Sequence, residues 1–398
     1  MKVGFVSVHD PADHDSLSGM PFSMKQALKA KGCSVVPFVP AEYRRRWHQR
    51  ARSTVGRILP RSVKDVLKRM LDVGPGPLPS GNEQLYRHVR DEAGRLSREV
   101  RDLVRKSRVD VLFGCCISTL LCEMEVETPI VYFSDITARL IFQTYPKLRS
   151  SPEGYRRACD ELERLGMSRA SAVVLATERA RRSAVEDYGV APERAFAVPM
   201  GANVDGPPEP AAEAPSREAL RLVMTAMDPE RKRLDLAIDA VEELRRLGWA
   251  ATLDLVGPPT PRAKSHPHVS CLGVLSLRTA AGRRANREAL IRSHLMILPS
   301  VGEAFGIAPC EAALLGRPSI VSAAGGLPEV VRDGETGLVM GLEADGAEYA
   351  RAVAGLAAKP DRYRAMSEAA AHRARAEFTW ERWGVRLLEI MNRVRRKG

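Results

Sequence analysis

The stretch LRLVMTAMDPERKRLDLAIDAVEELRRLGWAATLDLVG, Leu220 to Gly257, sets the fold. "LRLVMTA" is a short apolar run of the kind that a strand covered on both faces requires. "RLDLAIDAVEELRRLG" then places Leu234, Ile238, Val241, Leu244 and Leu247 on one helical stripe, with Gly248 as its stop. "ATLDLVG" repeats the apolar run. Strand, helix and strand in this order form the unit of a parallel sheet, because a parallel neighbour is reached only through a crossover.

The same order opens the chain, as "KVGFVSV", "PFSMKQALKAKG" and "CSVVPFV". Two such starts, far apart in one chain, predict an α/β protein of two doubly wound, Rossmann-like parallel sheets. Strands "VDVLFGC", "PIVYFSD" and "ASAVVLA" fall to the first sheet, and "HLMILPS", "SIVSA" and "TGLVM" to the second. Between them "GANVDGPPEPAAEAPS" is too rich in proline and glycine for a helix or a central strand, and reads as a linker. The expected division is 1–205 for the first domain and 206–378 for the second. A C-terminal helix over about 379–398 offers Trp380, Trp383, Leu387, Ile390 and Val394 for packing back on the first domain. In such sheets ligands bind beyond the carboxyl ends of the strands, so two facing domains would share a cleft.

Bulk properties narrow the classes. A chain of 398 residues exceeds one ordinary core, and 44% hydrophobic with 28% charged residues is the balance of a protein folded in water. No apolar run reaches the roughly 20 residues of a membrane span. The N-terminus lacks the long apolar region of a secretory signal, which predicts a cytoplasmic protein. Seven cysteines without a C-x-x-C pair read as reduced packing residues.

The net charge of +12 is local in origin: residues 41–70 hold ten Lys or Arg against Glu42 and Asp65. Interleaved apolar residues make this either a solvated helical face or a segment able to lie on anionic lipid, at the inner face of the membrane. Few aromatics and no nucleic-acid module argue against nucleic acid.

The chemistry concentrates in "PSVGEAFGIAPCEAALLG", Pro299 to Gly316. The strand ends at Pro299, and Pro309 suits the first turn of a new helix closed by Gly316. The N–H groups of Phe305, Gly306 and Ile307 would then be free at a helix start, where an anion is favoured. Glu303 in the loop and Glu311 in the helix flank that position. Carboxylates beside an anion site make sense where each accepts from neutral hydroxyls while the amides hold phosphate. A nucleotide sugar presents that order: ribose, diphosphate, hexose.

This segment resembles the E-x7-E signature of the family-4 retaining glycosyltransferases, proteins of the two-Rossmann GT-B fold. "GGLPEVVRDGETGLV" from Gly325, "VPMGANVD" at the joint, "DPERKRLDLAIDAV" and "SLSGMPFSMKQAL" extend the resemblance over most of the chain, in the family's order. The resemblance implies that Glu303 binds donor-sugar hydroxyls, Glu311 the ribose, and the main chain of Phe305, Gly306 and Ile307 the sugar or phosphate. It assigns Lys232 to the diphosphate and Gly19 to a loop facing the diphosphate from the other domain. Two positions depart from the pattern. Met227 stands where the family carries an arginine, leaving Arg231 as the substitute, and Ser134 replaces a histidine beside Asp135. Asp135 would orient acceptor or sugar, or merely cap the segment after it.

The implied activity is transfer of a hexose-type sugar from a UDP- or GDP-sugar to an acceptor hydroxyl, with no cofactor required and no metal site. The alternatives are a GT-B nucleotide-sugar epimerase or sugar phosphorylase, and a non-catalytic protein of the membrane surface. "HDPADHD", from His9, could offer metal ligands but reads better as a solvated loop.

Overall fold

A computed structural model describes residues 1–43, 81–204, 206 and 213–396. The basic segment 41–70 therefore lies outside the described residues from position 44 onward, as does part of the 206–216 linker. Contacts within the chain divide it into two compact units, Met1–Pro199 with Trp383–Gly398, and Met200–Arg382.

The first unit holds strands β1 (Lys2–Val6), β2 (Ser34–Phe38), β3 (Val111–Cys115), β4 (Ile130–Ser134), β5 (Ala172–Leu175) and β6 (Ala195–Ala197). They form one sheet in the order β2-β1-β3-β4-β5-β6, and every pairing is parallel. β3 and β4 are buried at every residue, as strands covered by helices on both faces must be. Helices of this unit include α1 (Met20–Ala30), α2 (Asn82–Arg105) and α3 (Glu153–Arg169). α2 and α3 approach so closely that a Cβ on Gly154 would fall 1.8 Å from the Asn82 carbonyl oxygen.

The second unit holds β7 (Leu220–Thr225), β8 (Ala251–Val256), β9 (Val269–Gly273), β10 (Leu295–Leu298), β11 (Ser319–Ser322) and β12 (Gly337–Met340). Their order is β12-β11-β10-β7-β8-β9, again parallel throughout, so the strand order reverses between β7 and β10. In an open α/β sheet that reversal opens a crevice at the carboxyl ends of the two strands, the usual seat of a ligand. α4 (Leu234–Arg246) follows β7, and α5 (Ile307–Leu314) follows β10.

One residue of the predicted stripe on α4 is displaced. Leu234, Ile238, Val241 and Leu244 are buried, but Leu247 is 41% exposed. The helix ends at Arg246, and Leu247 caps it with its side chain turned out. Trp249 takes the inner position instead, with its N–H donated to the Leu244 carbonyl at 3.0 Å and Arg217 stacked 4.4 Å over its ring.

The last helix, α6 (Trp380–Arg395), buries Trp383, Leu387, Ile390 and Val394. Trp383 packs edge to face on Phe113 and Phe133 of the first unit. Trp380 differs: it falls in the second unit and is half-buried. No described helix is long and apolar enough to cross a membrane.

Candidate functional site

The loops after β7 and β10 are laced together. The Val301 N–H donates to the Arg231 carbonyl at 2.9 Å, and the Ser300 hydroxyl donates to the Gly302 carbonyl at 3.1 Å. Asp228 shapes the first loop by accepting from the Arg231 N–H at 3.2 Å on its side chain and from the Lys232 N–H at 3.0 Å on its carbonyl. Arg233 then adopts a left-handed conformation, φ 54°, at the start of α4. This turn delivers two neighbouring cations to one acid: Lys232 Nζ lies 2.6 Å, and Arg231 Nη1 2.8 Å, from the same Oε1 of Glu303.

Burial pushes the Glu303 carboxyl upward, but Lys232 and Arg231 outweigh it and hold the group below its ordinary range. Glu303 is therefore a carboxylate at neutral pH. Burial also lowers Lys232, opposed by Glu303 and reinforced by Arg231. The acid's main chain is fixed too, since the Gly326 N–H of the "GGLPEVV" segment donates to the Glu303 carbonyl at 3.1 Å. Met227 projects into solvent, 39% exposed, so Arg231 is the arginine that reaches Glu303 from this loop.

Glu303 and Glu311 are both buried, yet their ionisation differs. Burial drives the Glu311 carboxyl up to about 7, with a backbone hydrogen bond from Asn203 and the charge of Lys232 only partly offsetting it. α5 begins at Ile307, with Pro309 in its first turn as expected, and Glu311 is its fifth residue, just past that turn. Gly306 caps the helix with φ 112°, a conformation that side chains strain against, and a Cβ there would meet Leu327 at 2.7 Å. Among the described residues no side chain caps this helix start, and no hydrogen bond is donated by the N–H groups of Phe305, Gly306 or Ile307. Phe305 is buried edge to face on Phe378, with ring centroids 6.1 Å apart. Cys310 is fully buried, donates to the Gly306 carbonyl at 3.4 Å, and has its thiol raised by burial, so it packs as a neutral group.

The remaining candidates lie in the first unit. Gly19, φ 80°, caps α1, and Leu17 and Ser18 before it also have positive φ, 45° and 56°. Three consecutive left-handed residues, two of them not glycine, are strain of the kind that concentrates at ligand loops. Asp135 follows β4 and is half-buried, with the Cys116 thiol donating to its Oδ1 at 3.9 Å. The helix after it is capped by Thr137, whose side chain accepts from the Leu140 N–H. Ser134, beside Asp135, is buried and donates to the Ile136 carbonyl at 2.7 Å. In "HDPADHD" the acids turn on their own backbone, Asp10 accepting from the Ala12 N–H and Asp13 from the Asp15 N–H. Among the described residues no group of His, Cys, Asp or Glu could hold a metal ion.

One buried acid escaped the sequence reading. Glu163, on α3, accepts from the Ser118 hydroxyl at 2.7 Å and from the Tyr132 hydroxyl at 3.0 Å. Burial raises it to about 7. Its spacing of four and eight residues from the buried Cys159 and Tyr155 was the available signal that it faces inward.

Residues 219–359 match the family described as "Glycosyl transferases group 1". Among curated proteins, the alpha-maltose-1-phosphate synthase of Mycolicibacterium smegmatis is 36% identical over 127 residues, 31% of this chain and 33% of that protein. The D-inositol 3-phosphate glycosyltransferase of Streptomyces coelicolor is 32% identical over 219 residues, 50% of this chain and 47% of that protein. The chain thus spans about a third to about half of the length of these relatives. Among solved structures, sucrose-phosphate synthase from Thermosynechococcus elongatus superposes with a TM-score of 0.70 at 17% identity, covering 100% of both chains. The structure of TarM covers 74% of this chain and 58% of its own, with a TM-score of 0.56 and 14% identity. With two parallel six-stranded sheets, this is the two-Rossmann GT-B architecture.

Proposed function

We propose that the chain is a retaining glycosyltransferase that moves a hexose-type sugar from a UDP- or GDP-sugar to an acceptor hydroxyl, in the assembly of a glycolipid, a polysaccharide or a glycosylated metabolite. One observation carries the reading. At the strand-order reversal of the second unit, a buried carboxylate is held by two cations beside a helix start whose amides have no partner among the described residues. A site that must hold neutral hydroxyls and a diphosphate together needs both kinds of group. The similarity of residues 219–359 to group 1 glycosyl transferases supports it independently.

In this reading Glu303 accepts from hydroxyls of the donor sugar and Glu311 from those of the ribose. The N–H groups of Phe305, Gly306 and Ile307 bind the sugar or the phosphate, and Lys232 and Arg231 offset the charge that grows on the diphosphate as it leaves. Retention follows if the acceptor oxygen bonds to the anomeric carbon on the face from which the phosphate oxygen departs. That oxygen takes the acceptor's proton, and no nucleophile from the chain is required. Asp135, on the first unit, orients the acceptor.

A panel of UDP- and GDP-sugars, screened for protection of the full chain against thermal unfolding, tests the reading, since a ligand of the folded state raises the midpoint by mass action. One donor should protect, and with a suitable acceptor its sugar should be transferred with the anomeric configuration kept. Protection by none, or nucleotide release that is indifferent to acceptor, overturns it.

A further inference from the structure

Two stretches of the second unit that carry no reacting group meet at Asn203. The Ala202 N–H donates to the Phe378 carbonyl at 2.9 Å, and Trp380 Nε1 donates to Asn203 Oδ1 at 2.7 Å. Gly201 allows this closeness, since a Cβ there would lie 2.4 Å from the Trp380 nitrogen. Phe378 packs against Phe305 and carries the Arg373 guanidinium 5.0 Å above its ring. Arg373 in turn donates to the Glu329 and Val330 carbonyls at 2.6 and 2.8 Å, within the "GGLPEVV" segment whose Gly326 holds the Glu303 main chain. Asn203 itself gives its backbone N–H to the Glu311 carboxylate.

We propose that Trp380 and Asn203 are positioning residues for nucleotide binding: the indole N–H fixes Asn203, and the Asn203 main-chain N–H aims the Glu311 carboxylate at the ligand. The inference rests on the glycosyltransferase reading for the identity of that ligand, a nucleoside diphosphate. Its physical basis is the scarcity of other anchors. A carboxylate accepts about four hydrogen bonds, and among the described residues the chain supplies Glu311 with the one from Asn203. If that peptide swings, the carboxylate swings with it. Among the bonds that hold the peptide still are one from the Ala202 main chain and one through the Asn203 side chain. The second can be removed by substitution without touching the backbone.

Calorimetric titration of UDP and GDP into the full chain tests this. Trp380→Phe removes the donor and keeps an aromatic ring, Asn203→Ala removes the acceptor, and Asn203→Asp restores it. The nucleotide that binds the wild type should bind the first two variants roughly threefold to tenfold more weakly, the measured range for a lost neutral hydrogen bond. Asn203→Asp should recover to within about twofold of the wild type, a smaller change than the loss of the bond. The double variant Trp380→Phe/Asn203→Ala should be no worse than either single one, because both remove the same bond. Neither substitution should add to the effect of Glu311→Gln.

Unchanged dissociation constants in Trp380→Phe and Asn203→Ala, with only the melting temperature of the free protein lowered, would reduce the pair to a structural role and overturn the inference alone. Losses that add to that of Glu311→Gln would do the same. Failure of the wild type to bind either nucleotide would instead bring down the glycosyltransferase reading and this inference together.

Discussion

Both units bury glutamate, and Glu303 of the second is kept in the opposite state from Glu163 of the first. Glu303, in the second unit, faces Lys232 and Arg231 and is held below the ordinary carboxylate range. Glu163, in the first, faces the hydroxyls of Ser118 and Tyr132 and is driven up to about 7. Burial is common to both, so the partners decide the charge. The two hydroxyls favour the Glu163 carboxylate, but less than burial opposes it, whereas the two cations at Glu303 more than offset burial. The first unit thereby closes its acid into its own core, whereas the second keeps a charged acid and two cations where a charged ligand would bind.

The largest expected effect breaks the second arrangement at the cation. Lys232→Ala leaves Glu303 with Arg231 alone and removes the ammonium proposed to face the leaving diphosphate. Turnover with the best donor should fall by roughly 10²–10³, the range for losing one preorganised donor at a site of developing charge. Loss of nucleotide affinity with kcat intact would make Lys232 a binding residue only.

A pair of glutamine substitutions sharpens the contrast, because the two should move stability in opposite directions. Glu303→Gln leaves the buried Lys232 and the half-buried Arg231 without their carboxylate, and unfolding free energy at pH 7 should drop by about 3–5 kcal/mol. Since Glu303 titrates below its unfolded value, its contribution is present above that value and is lost as pH falls through the lower, folded one.

Glu163 has the other sign. Its carboxyl sits at about 7 in the folded chain against an ordinary 4.5, so the folded state holds a proton that the unfolded state gives up between those values. Stability falls as pH rises across that window, and the penalty is complete above about 7. Glu163→Gln should therefore stabilise the protein by up to roughly 3 kcal/mol at pH 8 relative to its effect at pH 4, at 1.36 kcal/mol per pK unit. Denaturant unfolding across that pH range measures both variants. Parallel pH profiles for the two would remove the distinction between Glu303 and Glu163.

How much of this was legible in the sequence divides along the same line. The strands could be read because parallel strands buried on both faces must be continuous apolar runs, as "VLFGC" and "LMIL" are. Glu303, Glu311 and the turn at Gly306 stood out because an acid in a strand-to-helix loop, followed by a second in the helix, has no packing explanation. The pairing of Lys232 and Arg231 with Glu303 was out of reach of periodicity, since it joins residues 71 and 72 positions apart through loop geometry. α2 was missed as an element, its buried Leu85, Val89, Leu96 and Val100 diluted among charged neighbours next to the basic stretch. Asn203 and Trp380 lay inside segments quoted as motif and as terminal helix, but which of their polar atoms meet depends on a backbone approach that only Gly201 permits.

A smaller effect is expected at Gly306. Alanine there must adopt φ 112° and place its Cβ against Leu327 Cδ2, the movable end of a side chain. Conformational strain then dominates, at about 1–3 kcal/mol. Protection by the nucleotide sugar should weaken alongside stability, because the same backbone presents the amides at the start of α5. A variant as stable as the wild type would show that the left-handed turn is incidental.

The smallest effect falls at Leu247. Helical periodicity puts it on the buried stripe of α4, and a leucine on that stripe would cost several kcal/mol to replace by a charge. The helix stops one residue too early for that. Gly248, with φ 81°, turns the chain, its N–H goes to the Arg245 carbonyl at 3.0 Å, and Trp249 folds back under Leu244 while Leu247 points to solvent. Leu247→Lys should accordingly change unfolding free energy by no more than about 0.5 kcal/mol, as exposed substitutions do. A loss several times larger would mean that the stripe continues past Arg246 and that the cap geometry is wrong, and with it the account of how α4 holds the turn carrying Arg231 and Lys232.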